Sequence, residues 1–302
     1  MPDDLPPLPP EHLYLPFSSG PFRMAMGLQG RDPDELLEID ERYPDEMAER
    51  RDLLATRHAD VFAAEPGSGS ARAEVLAIVA SLLPRRYPSW FTRDGTTLHN
   101  DLTGEAWNVG HPAVDPLELA GRMVQEDLCI IDTAGPSPVL AAAILCAPSR
   151  WRLADKIGRP LADVHGPVPL YADRLSTAVD RFMNALRPGK LAERVNWSVV
   201  DDPALFQVGG KHRTGHDPSI TIDNAAERLF LRVERQTLIR LPESGSVLFA
   251  IHVHSYPIAR VTTVPGAAAD LAAAIRALPE DFGRYKSIPV FRDALLGCLD
   301  VA

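Results

Sequence analysis

"RLFLRVERQTLIRLPESGSVLFAIHVHSY", residues 228–256, decides the fold. Two runs rich in branched and aromatic residues flank ESGS, a tight-turn signal, so the stretch reads as a hairpin of two long β-strands. Side chains alternate sides along a strand. One face of the first strand therefore carries Leu229, Leu231, Val233, Arg235, Thr237, Ile239 and Leu241, and the other Phe230, Arg232, Glu234, Gln236, Leu238 and Arg240. Arg235 interrupts an apolar face. A guanidinium cannot give up its charge, so in that position it either snorkels to water or needs a carboxylate or a polar ligand as partner. Arg232 and Glu234 read as a solvated or interdomain charge pair.

Working outward, ERVNWSVVD (193–201) is a third strand candidate, and LCIID (128–132) and PVLAAAILCAP (138–148) are two more, separated by the turn-rich TAGPS. Helical patterns around 150–157 and 169–187 lie between these pieces; LYADRLSTAVDRFMNAL spaces its apolar residues as a helix face does. Two strands, a helical crossover and three strands give an α+β fold with a PAS-like antiparallel five-stranded sheet, the crossover covering one face and enclosing a ligand. The chain then divides into a proline-rich extended arm (1–30), a helical layer (31–127) and the sheet core with C-terminal helices (128–302). Within the arm, FRMAMGL (22–28) is the apolar segment able to dock. In the layer, helical spacing over 33–62, the linker signal EPGSGSA, the helix AEVLAIVASLL stopped at Pro84 and the helix PLELAGRMVQE (116–126) follow in turn.

The 302 residues are 45% hydrophobic and 24% charged, a normal balance for a globular protein with a sizeable core. A formal charge of −10 argues against nucleic acid or an anionic membrane as partner, because both require a basic surface. The N-terminus has acids where a secretory signal carries bases, and no run of about 18 apolar residues occurs, so a cytoplasmic location is expected. Cys129, Cys146 and Cys298 are far apart and form no CxxC pair, which speaks against a disulfide framework and an iron–sulfur cluster.

Four groups of histidines come into question. His252 and His254 share one face of the last strand and can reach one metal ion together, but no third ligand stands at a familiar spacing; the alternative is an exposed face of an edge strand. His212 and His216 lie in the polar loop GGKHRTGHDPS, and His99 reads as a turn residue. His165, in KIGRPLADVHGPVPLYADRL (156–175), is held among prolines that cannot donate backbone hydrogen bonds, directly before a helix. Such rigidity suits a metal or haem ligand, and equally a structural histidine bonded to a carbonyl. No GxSxG elbow, phosphate loop or GxGxxG signature is present.

PFRMAMGL, RYPDEMAERRDLL, LELAGRMVQEDLCII, SRWRLADKIGRPLADVHGPVPLYADRL, RVNWSVVDDPALF and LRVERQTLIRLPESGSVLFAIHVHSYPI together resemble the haem-dependent oxidative N-demethylase alpha-subunit-like family, in family order from about residue 20 onward. The resemblance implies a PAS-type domain binding haem b, and a monooxygenase that removes a methyl group from a small secondary amine such as dimethylamine, with release of formaldehyde. It implies His165 as the iron's axial ligand, with Asn196 and Trp197 lining the pocket. Arg235 would pair a haem propionate or orient oxygen, Thr237 would serve proton delivery, and Glu234 would meet a cationic amine, although its face points away. With no flavin or iron–sulfur motif in the chain, electrons would come from a reductase partner carrying those centres. A haem-based sensor without turnover, or a non-haem metal protein using His252 and His254, are the alternatives.

Overall fold

The hairpin of residues 228–256 forms the middle of a sheet. In a computed structural model that describes residues 5–302, the strands are β1 Gln29–Arg31, β2 Phe62–Ala64, β3 Phe91–Asp94, β4 Thr97–Asn100, β5 Glu105–Asn108, β6 Asp127–Asp132, β7 Val139–Ile144, β8 Leu191–Val200, β9 Phe230–Arg240 and β10 Val247–Pro257. Met1–Asp4, the start of the expected arm, lie outside the described residues.

The chain is a mixed α/β protein with a seven-stranded antiparallel sheet, in the order β1-β8-β9-β10-β6-β7-β2, and a separate three-stranded sheet, β3-β4-β5. The five strands read from the sequence occupy five adjacent positions. The sheet is wider than expected because β1 pairs with β8 and β2 with β7 at its two edges. Both added strands are three residues long, too short for alternation to register in the sequence. The longest contact is β9 with β10, in register from Phe230↔Pro257 to Arg240↔Val247, closed by a turn in which Gly245 takes φ 73°, a conformation that favours glycine.

Three readings of local structure change. EPGSGSA is no linker: Pro66–Ser68 form a 3-10 turn, and the following helix runs from Gly69 to Arg86. That helix continues through Pro84, because Leu82 and Leu83 are buried in its last turn and their packing outweighs the lost hydrogen bond. His99 belongs to β4, opposite Thr92 and Ala106, and not to a turn.

The sheet is covered on both faces. On one, helices Tyr43–Thr56 and Gly69–Arg86 bury an apolar cluster that takes in Leu241, Leu248 and Ala250. Helices Ala267–Ala277 and Arg292–Asp300 bury a second cluster, with Leu231, Val233 and Tyr256, further along the same strands. The crossover between β7 and β8, which contains the helix Ser176–Ala185, lies over the opposite face and packs on Cys129, Ile131 and Leu238. Among the described residues no helix is long and apolar enough to cross a membrane.

Candidate functional site: a cation-rich cavity behind His165

The Gly-Pro stretch before His165 is fastened to the sheet. Gly158, at φ 73°, donates to Leu140 O at 2.8 Å, Leu140 donates to Arg159 O at 3.1 Å, and Leu161 donates to Pro138 O at 2.8 Å. These bonds anchor the single turn Leu161–Val164, and His165 caps it through its backbone N–H to Leu161 O at 3.0 Å. The side chain returns to the same carbonyl: His165 Nδ1 donates to Leu161 O at 2.9 Å. Since a carbonyl only accepts, Nδ1 carries the proton and Nε2 keeps its lone pair in the neutral ring. Burial, with Lys156, Arg194 and Lys211 nearby, pushes His165 down to about 4 despite the Leu161 bond, so the ring is neutral at physiological pH. Tyr171 stacks on it with centroids 4.5 Å apart and planes 11° from parallel, and the Tyr171 hydroxyl is buried without a partner.

His165 lines a cavity of about 760 Å³ between the crossover and the sheet. Ligand pockets run roughly 300–1,000 Å³. Its walls are apolar at Leu140, Val179, Phe182, Leu238, Phe249 and Ile251, and Phe22, Met24, Met26 and Leu28 of FRMAMGL line it as well. Arg194, Lys156, Lys211 and Lys286 reach it, with Glu234 as the one carboxylate among its lining residues. Such a lining is unusual in a chain of net charge −10. Burial pushes Lys156 and Lys286 down to about 8, and the Nε of Arg194 is buried without a partner. Lys286 donates to Trp197 O and sits over the Trp197 ring.

Glu234 is half-buried in the cavity wall. Burial would raise its carboxyl, but Ser149, the Arg232 guanidinium, Asn196 and Gln236 hold it below the usual carboxylate range. Gln236 Nε2 donates to Glu234 Oε2 at 2.7 Å and Asn196 Nδ2 at 3.3 Å, while Ser149 Oγ donates to Oε1. Arg232 is no solvated surface partner: it is 1% exposed and donates to the carbonyls of Ala147, Ala204 and Leu205.

The structure thus brings His165, Asn196, Trp197 and Glu234 to one cavity, and places Arg235 and Thr237 on the other side of the sheet. Arg235 meets protein carboxylates there, Glu193 at 2.8 Å and Glu38 at 3.4 Å, and donates to Glu35 O at 2.5 Å; Thr237 Oγ1 donates to Leu36 O at 3.0 Å. The face bearing Arg235 and Thr237, expected to border the cofactor, does not line this cavity. In β9 the apolar face goes under the helices and the polar face, with Glu234 and Gln236, lines the cavity. Sequence reasoning passed over Arg194 and Lys286; the alternation that puts Arg194 on the face of Asn196 was its one available signal.

His252 and His254 also lie away from the cavity, and they are not exposed on an edge. β10 is the central strand of the sheet, and the two side chains are 1% and 2% exposed. Burial disfavours a charge on His252, yet Glu126, Glu46 and Asp40 push it up to about 9; burial and His252 hold His254 low.

Residues 27–296, nearly the whole chain, match the model of a protein family described as haem-dependent oxidative N-demethylase, alpha subunit-like.

Proposed function

The chain belongs to the haem-dependent oxidative N-demethylase, alpha subunit-like family, and on that premise we propose that it is a cytoplasmic haem b monooxygenase removing a methyl group from a small secondary amine, with formaldehyde released. The observation that carries this reading is the Nε2 of His165, which makes no hydrogen bond among the described residues and stands in a cavity lined by cations. Nδ1–H bonded to a carbonyl is the arrangement that fixes a metal-bound imidazole, setting its tautomer and its plane. Haem fits the residues present: His165 would hold the iron, and Arg194, Lys211 and Lys286 would meet the propionates, giving the orphaned Arg194 Nε a partner. The PAS-type reading of the five central strands rests on their order and on the crossover that encloses the cavity.

When bound, haem supplies oxygen activation and oxidation of the N-methyl group. The chain supplies position and electrostatics. Glu234, kept ionised by Ser149, Asn196 and Gln236, is the counter-charge for a dialkylammonium ion, and Leu238, Phe249 and Ile251 exclude water around its methyl groups. Asn196 and Trp197 shape the same wall. Arg235 and Thr237 act through the sheet, holding β9 to residues 35–38, and so position Glu234 without touching a ligand. Electrons would come from a separate flavin and iron–sulfur reductase.

The test is an absorption spectrum of protein loaded with haem, repeated on His165→Ala, together with formaldehyde release from dimethylamine, NAD(P)H and a matched reductase. A Soret band in the parent and its loss or shift in the variant support the assignment. A variant with the parent's occupancy and spectrum removes His165 from it, and a stable oxygen complex without formaldehyde turns the reading toward a sensor.

A further inference from the structure

On the face of the sheet away from the cavity, a polar band crosses between the two apolar clusters. Along β10 it interrupts the series Leu248, Ala250 and Tyr256 with His252 and His254, and along β9 the partners of those two are Arg235 and Val233. The two imidazoles stack, with centroids 4.2 Å apart and planes 17° from parallel. Each turns Nδ1 toward a buried carboxylate: His252 to Glu126 Oε1 at 3.5 Å and His254 to Glu11 Oε1 at 3.3 Å. Both Nε2 atoms are buried and have no hydrogen-bond partner among the described residues. A buried imidazole nitrogen left unpaired is costly, and two stacked on each other are not explained by packing.

We propose that His252 and His254, with Glu38 as third donor, form a binding site for a divalent transition-metal ion. Ligating atoms of these three residues lie within 4.8 Å of one another, and a second such group, Glu11, Asp40 and His254, overlaps it. Two imidazoles and a carboxylate suit zinc and the neighbouring first-row ions. The surroundings are those of a ligand set already oriented. Tyr14 OH donates to both Glu38 oxygens at 2.9 Å, and Gln125 Nε2 donates to Asp40 Oδ1 at 3.1 Å, leaving Asp40 Oδ2 toward the histidines, 3.9 Å from His252 Nε2. Asp40 belongs to the overlapping group with Glu11 and His254 and stands beside the three donors. An ion held by these three donors would tie the segment carrying Glu38, which crosses this face, to the central strand. The site is distinct from the cavity, which opens on the other side of the sheet.

The experiment strips the full-length protein with a chelator, reloads it with zinc alone, and measures bound metal after gel filtration alongside the thermal transition. The parent and His165→Ala are expected to hold one equivalent each with Tm raised by several degrees, and His254→Gln and Glu38→Gln to lose that equivalent. A parent that retains no stoichiometric zinc overturns the site, as do variants that retain it. Should the variants fail to fold, cobalt-loaded parent decides: two strongly shifted exchangeable imidazole N–H resonances are expected, and their absence means that the histidines are not ligands.

Discussion

Tyr171, the first residue of the short helix Tyr171–Arg174, lies flat against His165, 4.5 Å away between centroids. The contact fixes the imidazole plane from one side as the Leu161 carbonyl fixes its rotation. Truncation to Tyr171→Ala removes a ring that is 5% exposed and is expected to cost about 3 kcal/mol in urea unfolding, with weaker haem retention. Tyr171→Phe keeps the ring and removes a buried hydroxyl that has no partner, so it is expected to be neutral or slightly stabilising. Equal losses for the two variants would show that the hydroxyl, and not the stacking, is what matters.

Arg235 is held by Glu193 and Glu38 on the far side of the sheet from the ligand cavity. Its removal takes the guanidinium from Glu38 and leaves Glu193, buried, with Arg31 alone. Arg235→Met is therefore expected to destabilise the protein by about 3–5 kcal/mol and to leave haem stoichiometry in the surviving folded fraction unchanged. Denaturant titration and haem quantitation at low temperature separate the two effects. A variant of parental stability that cannot take up haem would contradict this placement.

What the sequence revealed and what it hid divide along this strand. Alternation identified the two faces of β9 residue by residue, and the runs 128–132, 138–148, 193–201 and 228–256 all became strands of the one sheet. Alternation does not say which face meets the cavity. Arg235 is the anomaly on an apolar face; that face is the one buried under helices, and Arg235 is tolerated because Glu193 of β8 and Glu38 reach it. Glu38 arrives from a segment nearly 200 residues upstream, a distance over which no spacing rule operates. For the same reason Glu11, Glu38 and Asp40 were invisible as companions of His252 and His254. The role of the arm was half legible: FRMAMGL was seen to dock, but its place against the cavity depends on tertiary contacts such as Phe22 with Phe282.

Acid stability offers a third test. Asp201 receives Arg150 and Arg213, each at 2.6 Å; burial alone would raise its carboxyl, and the two guanidiniums hold it below the usual range. With the folded pKa depressed, this contribution is fully present above the unfolded value of about 3.9 and is lost as pH falls through the folded value. Asp201→Asn is expected to lower stability at pH 7 by on the order of 1 kcal/mol, since the pair is partly open to solvent. The gap between variant and parent should close in unfolding curves taken below pH 4. A gap that persists undiminished at pH 3 would assign the loss to packing of the 201–213 loop.

Glu234 provides the sharpest test of the cavity's chemistry. As the one carboxylate among the lining residues, it is the group that distinguishes a cationic ligand from a neutral one of the same shape. Glu234→Gln keeps the size of the side chain and removes its charge. Loss of a charge-assisted hydrogen bond is worth about 1.5–3 kcal/mol, so the Kd for dimethylammonium should rise by roughly 10- to 100-fold, while the Soret spectrum and haem stoichiometry stay as in the parent. Titration followed by calorimetry measures this directly, with a neutral ether of equal size as control, whose weak binding should be unaffected. If both ligands lose affinity equally, the substitution has disturbed the wall formed by Asn196 and Gln236, which both donate to this carboxylate; if neither does, the amine binds elsewhere and Glu234 serves only to hold Ser149, Asn196 and Gln236 in place.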